Sequence, residues 1–544
     1  MLNRLATTKA KAKKRPFQRA SVLLSSALAV CMLSACSAEG AAEPNAASTQ
    51  SAAGTDKPAA AATLQIEVYE RGEAPAGTSV TDNYLTRYAQ KNFGDPNGIK
   101  LEYVPVPRSE DVQKLNVMMA SGEVPDIIFT YDENLVYNYA QQGGLQELDQ
   151  LLEEHGANLT AFLGEETLAY GVFEGKQYAI PAKRVNVGKY ATFIRQDWLD
   201  KLGLPAPQTT EEVYETLKAF KENNPGGVDS VIPFGFSLTP SSYEPVVWGL
   251  SEQISEEQRV TETHQLGSRD YPTLLPGHKD AVRFLNKLYH EGLMSLDFAL
   301  DKDEKKLNQD IQTGKVGMFG ADGLEPLQEV YGNLQTNVPG ASLSAIDPFT
   351  NSTGQHYKPL YKPAGMYIII PKESKHAAEA IRYLDWMAQP DVMLAMQNGE
   401  EGVHYKMEQG IPVRIDSEQT NKDLFNTGDM VIISNGRDFG DEELNKTASL
   451  IALPEQYREL GSKVLDIMVA DGVSPVRFDK PLESQIKYGT MLQEKYDELI
   501  ARSILAKPDQ FDATYDRLLA DMMKSGGDAI LKERQELYEA MKSQ

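Results

Sequence analysis

Residues 108–134, RSEDVQKLNVMMASGEVPDIIFTYDEN, carry the reading that decides the fold. Ser109 can cap a helix, and Glu110 and Asp111 suit the positive end of its dipole. Val112, Leu115 and Met119 form an apolar stripe that Gly122 ends. Pro125 then leads into the apolar strand Ile127-Ile128-Phe129. Upstream, TLQIEVYERG (63–72) alternates Leu64, Ile66 and Val68, a strand with one buried face. Strand, helix, strand is the order of an α/β sheet.

Working outward, the pattern repeats. YAIPAK (178–183) is a short strand. In KYATFIRQDWLDKLGLPAPQTTEEVYETLKAFKENNPGG (189–227), Thr209 and Glu212 fit a capping box, and Val213, Leu217 and Phe220 line one helical face. GKVGMFG (314–320) and GMYIIIP (365–371) are strands, and residues 279–294 and 373–399 are amphipathic helices. From about Asp441 the chain is helical; residues 512–544 form a helix, a Gly-Gly break and another helix.

The N-terminus has a different chemistry. Seven basic residues and no acid lie in the first 35 positions, and the apolar run from Ala20 to Ala35 is sixteen residues long. A spanning helix needs roughly 20 apolar residues, so the run reads as a secretion signal. Leu33-Ser34-Ala35-Cys36 resembles the lipobox of bacterial lipoproteins, which implies cleavage before Cys36 and its lipidation. Residues 36–62 are mostly Ala, Ser, Gly, Pro and Thr, too poor in apolar bulk to fold, and read as a flexible leash. The folded body starts near Thr63.

The full chain of 544 residues carries a formal charge of −24, and loss of the basic leader makes the remainder more acidic still. Such a surface repels phosphate backbones, which argues against nucleic acid as a partner. Both cysteines, Cys31 and Cys36, precede the body, so it holds no disulfide and no thiolate metal site. Enzyme motifs fail on single residues. Met294 cannot complete a zinc pair with His290-Glu291, and the run from Asp301 begins like a calcium loop but has Lys305 where an oxygen ligand belongs and Lys306 where Gly does. Gly171–Lys176 is one residue short of a phosphate loop, and Ser484-x-x-Lys487 is too brief to carry weight. No cofactor is called for. Carboxylate pairs for glycoside hydrolysis need no fixed spacing and stay open.

Six segments in order resemble the extracellular solute-binding proteins of carbohydrate ABC importers. They are Ser121–Ile128 with its Gly-x-x-Pro-Asp, Tyr178-Ala179-Ile180-Pro181, Arg195–Leu204 with Glu211-Glu212, Gly314–Gly317, Arg382–Met387 and Gly399–Tyr405. The resemblance covers roughly 63–544. It implies a two-lobed periplasmic-binding-protein-like (type II) α/β fold with hinge strands and a helical C-terminal part. One lobe would take 63–182 and 366–420, the other 183–365 and 421–544, with crossings near Pro181 and Gly365. It also implies a monomeric receptor, held to the outer face of the cell membrane by its lipid, that captures an oligosaccharide and hands it to permease subunits. A surface polysaccharide-degrading lipoprotein and a peptide receptor or sensor partner are the alternatives.

Sugars offer a C–H face to aromatic rings and hydroxyls to convergent polar groups. Residues after strand ends face the cleft of such sheets. Tyr69, Arg71, Tyr131, Asp132, Lys183 and Arg184 are candidates on that ground. Trp248 is a candidate because relatives carry a stacking aromatic there; Met318, Phe319 and Tyr361 flank the later strands, and Glu401, His404 and Tyr405 sit in a Gly-flanked loop. Trp198 and Trp386 read as core, and Asp126 as a structural acceptor beside Pro125. If Arg71, Lys183 and Arg184 converge, the sugar would be acidic, as uronates are.

Overall fold

The computed structural model describes residues 62–252, 255–266 and 269–543. The expected leader, Cys36 and nearly all of the leash lie outside them.

Two mixed sheets organise the body. In the first, strands run in the order Ser434–Asn435, Ala179–Arg184, Ala364–Ile369, Ile128–Thr130. The long parallel pair Ala62–Glu70 and Ile99–Pro107 continues it, since Glu67 donates its N–H to the Ile127 carbonyl at 2.9 Å. Strand pleating sends alternate residues to opposite faces. Phe129, Ile180, Met366 and Ile368 enter one core with the helices Tyr84–Ala89 and Ala377–Met387. Ile128, Ala179, Tyr367 and Ile369 enter the other, under the helix Glu133–Gln141. Each such fully buried side chain contributes about 1.5–3 kcal/mol of transfer free energy.

The second sheet orders Leu343–Ile346, Tyr190–Arg195, Val316–Asp322 and Ile232–Gly235. Ile194, Phe234 and Met318 pack with the C-terminal helices through Tyr496, Tyr515 and Ile530. Phe193 and Phe319 pack on the other face with Leu453 and Val464.

Local signals hold with three exceptions. Thr209 caps the helix Thr210–Asn223 by accepting the Glu212 N–H at 3.2 Å, but the Glu212 carboxylate accepts the Gln208 N–H at 2.7 Å instead of that of Thr209, so the expected capping box is half formed. The helix Asp111–Ser121 ends at Gly122 in the left-handed conformation (φ 72°), but Ser109 lies in a preceding 3-10 turn and does not cap it. The expected single helix over 373–399 is two, Ala377–Met387 and Pro390–Asn398. Proline has no N–H to donate, so it starts the second helix rather than extending the first.

The crossings also differ from expectation. Pro181 and Gly365 lie inside strands of the first sheet. The chain passes to the second sheet through residues 185–189 and returns through 347–363. It stays with the first core past residue 420: Leu424 and Met430–Ile433 are buried there, and Ser434 and Asn435 pair with Lys183 and Arg184. Only after Asn435 does it move to the second body. The run Met430-Val431-Ile432-Ile433 is the reason, because a short, wholly apolar segment demands burial on all sides.

Candidate functional site

Three adjoining cavities lie along the crossing segments. The first, about 660 Å³, is lined by Arg71, Tyr131, Asn398, Tyr405, Arg414 and Arg437 among others. The second, about 550 Å³, takes Arg108, Tyr131, Asp132, Arg184, Tyr361 and Arg477. The third, about 380 Å³, includes Arg184, Asn186, Asp322, Tyr361, Asn435 and Arg437. Tyr131 borders the first and second, Arg184 and Tyr361 the second and third, Asn435 and Arg437 the first and third. These shared walls join the three spaces into one polar and aromatic cleft.

The structure places the expected residues unevenly. Tyr131 is 37% exposed with the Arg108 guanidinium 4.8 Å over its ring. Asp132 lines the second cavity while its Oδ1 accepts the N–H groups of Asn134 and Leu135, capping the helix Glu133–Gln141. Two cations lie over the Tyr361 ring, Arg184 at 4.6 Å and Lys189 at 4.8 Å from its centre. Tyr405 borders the first cavity, and burial raises its phenol above the ordinary value.

Others are absent from the cleft wall. Tyr69 is fully buried; its hydroxyl donates to Asp111 at 3.0 Å, and its ring lies under Arg108. Trp248 is 2% exposed, packed in the second body's core on the helix Pro240–Gly249. Phe319 is 1% exposed and stacked on Phe193 at 5.4 Å, because strand pleating turns it inward, while Met318 faces the opposite core. His404 is 2% exposed and structural: Nδ1 accepts the Glu400 N–H at 2.9 Å, so Nε2 carries the proton toward Asp423 at 3.1 Å. Glu401 is exposed on that loop but lines none of the three cavities. Trp198 lies in core, Trp386 packs against one, and Asp126 accepts the Gln65 N–H at 2.8 Å and the Ser374 hydroxyl.

The three cations Arg71, Lys183 and Arg184 do not converge. Arg71 is held in a two-pronged pair with Asp429, at 2.7 and 2.8 Å. That hydrogen bonding keeps its guanidinium above the ordinary value. Lys183 turns to Asp438 at 2.8 Å. Burial alone would raise the Asp438 carboxyl, but Lys183, the Asn445 amide and the Gly440 N–H together lower it. Arg184 alone of the three keeps its charge available, with no carboxylate at ion-pair distance among the described residues. Its Nε is buried and without a hydrogen-bond partner among them, and burial lowers its pKa. Arg437 likewise has no carboxylate at ion-pair distance among the described residues; its Nη1 donates to the Asn398 amide oxygen at 3.4 Å, and burial and then Arg414 lower its pKa.

Arg108, Arg414, Arg437, Asn398 and Asn435 escape a strand-by-strand reading. One signal pointed to two of them: Ser434-Asn435-Gly436-Arg437 directly follows the apolar run at 430–433, a strand end like the others. Among the described residues there is no group of three or more His, Cys, Asp or Glu that could hold a metal ion, and no helix is long and apolar enough to cross a membrane.

A pair of sheets joined by three crossings, with a polar and aromatic cleft along them, is the build of a receptor that grips a solute. The chain belongs to the bacterial extracellular solute-binding protein family, whose model matches residues 77–394. Lipoprotein LipO of Bacillus subtilis (strain 168) is 27% identical over 494 residues, covering 86% of this chain and 91% of its own. The polygalacturonan/rhamnogalacturonan-binding protein YtcQ of the same strain is 25% identical over 470 residues, covering 81% and 86%. Among solved structures, the S. pneumoniae ABC-transporter substrate-binding protein FusA, an EF-hand mutant in complex with fructo-nystose, superposes with a TM-score of 0.62. It is 17% identical and covers 88% of this chain and 99% of its own. The likeness is one of fold: two-lobed and α/β, as the sequence predicts.

Proposed function

We propose that this protein is a lipid-anchored extracellular receptor that captures an oligosaccharide and delivers it to the permease subunits of an ABC importer, without altering it. The observation that carries the reading is the run of three adjoining cavities, of about 660, 550 and 380 Å³, which together have room for several sugar units. Tyr131 offers an exposed ring for a sugar face, Tyr361 and Tyr405 line the same space, and Asn398 and Asn435 offer amides for hydroxyls. The named ligands of YtcQ and FusA, both saccharides, support the class of solute, and the transporter named with FusA supports the permease. The LipO likeness and the Leu33–Cys36 segment support the lipid at Cys36.

Function would then be closure, with ligand favouring the closed arrangement of the two sheets and the hinge dihedrals absorbing the change. The test is incubation of purified protein with a panel of labelled oligosaccharides, followed by calorimetry and analysis of what is recovered. Binding with intact sugar recovered is the expected result. Shortened products would make it a polysaccharide-degrading enzyme, and binding of peptides in place of sugars would make it a peptide receptor.

A further inference from the structure

Three of the cations that line the cleft are already matched. Arg71 pairs with Asp429, Arg108 with Asp111 at 3.2 Å, and Lys362 with Glu133 at 2.5 Å. Arg184, Arg437, Arg414, Arg477 and Lys480 have no such partner among the described residues, and of these only Arg184 and Arg437 line the third cavity. They sit at two different crossings: Arg184 ends the strand Ala179–Arg184, and Arg437 follows Ser434–Asn435. These two strands are paired, Arg184 opposite Asn435, so both arginines leave the same edge of the sheet. Both line the third cavity, and each also lines one of the larger two. Asp322 is the one acid among that cavity's linings, so the two arginines outweigh it by one charge.

An unmatched cation in a partly buried site is costly, and a buried donor without an acceptor calls for an explanation. The Arg184 Nε–H is such a donor. The Arg184 guanidinium lies over the Tyr361 ring at 4.6 Å, and both residues line the second and third cavities. A planar fork of this kind matches a carboxylate better than a hydroxyl.

We infer that Arg184 and Arg437 are the specificity-determining pair of the cleft and select oligosaccharides that carry carboxylates, held where the three cavities meet. The inference rests on the receptor reading and narrows its ligand to acidic sugars. The cations that do the selecting differ from those the bare sequence points to: Arg184 stays, Arg71 and Lys183 leave, Arg437 enters. Because the two arginines lie at separate crossings, one carboxylate between them would also tie those segments together in the closed form.

The test uses the full chain and three probes: a galacturonate trisaccharide, its methyl ester and the neutral galactose trisaccharide. The ester removes the charge but adds a methyl, and the neutral trisaccharide, which replaces each carboxylate by a CH2OH of similar size, separates the two effects: it should bind as weakly as the ester. The expected result is that the acid binds at least tenfold tighter than the ester. Arg184→Gln and Arg437→Gln should each weaken the acid by about 10–100-fold, the worth of a charge-assisted hydrogen bond, and the ester by less than about threefold. Acid binding should also weaken as salt rises from 50 to 500 mM, while ester binding should not. Thermal unfolding of each unliganded variant guards against a folding defect; if Arg184→Gln does not fold, Arg437→Gln and the salt series still decide. Equal binding of acid and ester, or variants that melt like the parent and keep the preference, would overturn the pair while leaving the receptor reading intact. Binding of none of the three probes, nor of any other oligosaccharide, would overturn both.

Discussion

Lys183 reaches Asp438 at 2.8 Å, while its neighbour Arg184 lies over the Tyr361 ring with no carboxylate at ion-pair distance among the described residues. Adjacent residues on a strand point to opposite faces, so two cations side by side in sequence meet different surroundings. That Lys183 is neutralised could not be read from residues 178–184, because its partner lies 255 positions on, in a segment expected with the other lobe. A second residue-scale device is His278. Its Nδ1 lies 2.7 Å from the Tyr515 hydroxyl and its Nε2 2.8 Å from that of Tyr496. Burial pushes its pKa down to about 3, and burial likewise brings His264 to about 4. Both are therefore neutral in the folded state and titrate near 6.5 when unfolded. Their stabilisation is fully present above pH 6.5 and is lost as pH falls toward 3 to 4. At pH 5 each should cost about 2 kcal/mol relative to pH 7. Guanidinium midpoints between pH 4 and 7 check this; His278→Gln should flatten the slope, and an unchanged slope would contradict the assignment.

Elements were legible where one local rule sufficed. The strands Ala62–Glu70 and Ala179–Arg184 and the helices Thr210–Asn223 and His278–His290 stand within a few residues of where alternation and apolar spacing put them. The Gly-Gly break appears as a wide turn at Met523–Gly527 between the helices Phe511–Met522 and Asp528–Lys542. Contact between elements was not legible. Gly320, in the strand Val316–Asp322, shows why its neighbourhood tolerates so little. A Cβ there would come within 2.2 Å of the Ser241 carbonyl oxygen, on the helix Pro240–Gly249. Backbone cannot yield as a side-chain tip can, so the helix must move off the sheet. Gly320→Ala should lower stability by about 1–3 kcal/mol or more, read as a drop in denaturation midpoint at unchanged m-value. A neutral effect would mean that the helix and strand are not packed so closely.

At the scale of the molecule, the cleft is a product of the three crossings rather than of any single motif. If ligand closes the two sheets on one another, a saturating oligosaccharide should reduce the radius of gyration by X-ray scattering. It should also stabilise the fold by about 2.7 kcal/mol at a hundred times Kd. A thermal shift with no change in scattering would show binding without closure. The sequence by itself determined the α/β class, the order of strands and helices, the family, and a set of aromatic and polar candidates of which Arg71, Tyr131, Asp132, Arg184, Tyr361 and Tyr405 line the cleft. Those follow from periodicity and short motifs, which act over a few residues. Only the tertiary structure decided that Trp248 and Phe319 are core, that Arg71 is spent on Asp429, and that residues 424–435 belong with the first sheet. Those outcomes depend on which residues far apart in the chain share a buried space, and charge neutralisation and burial are properties of that shared space.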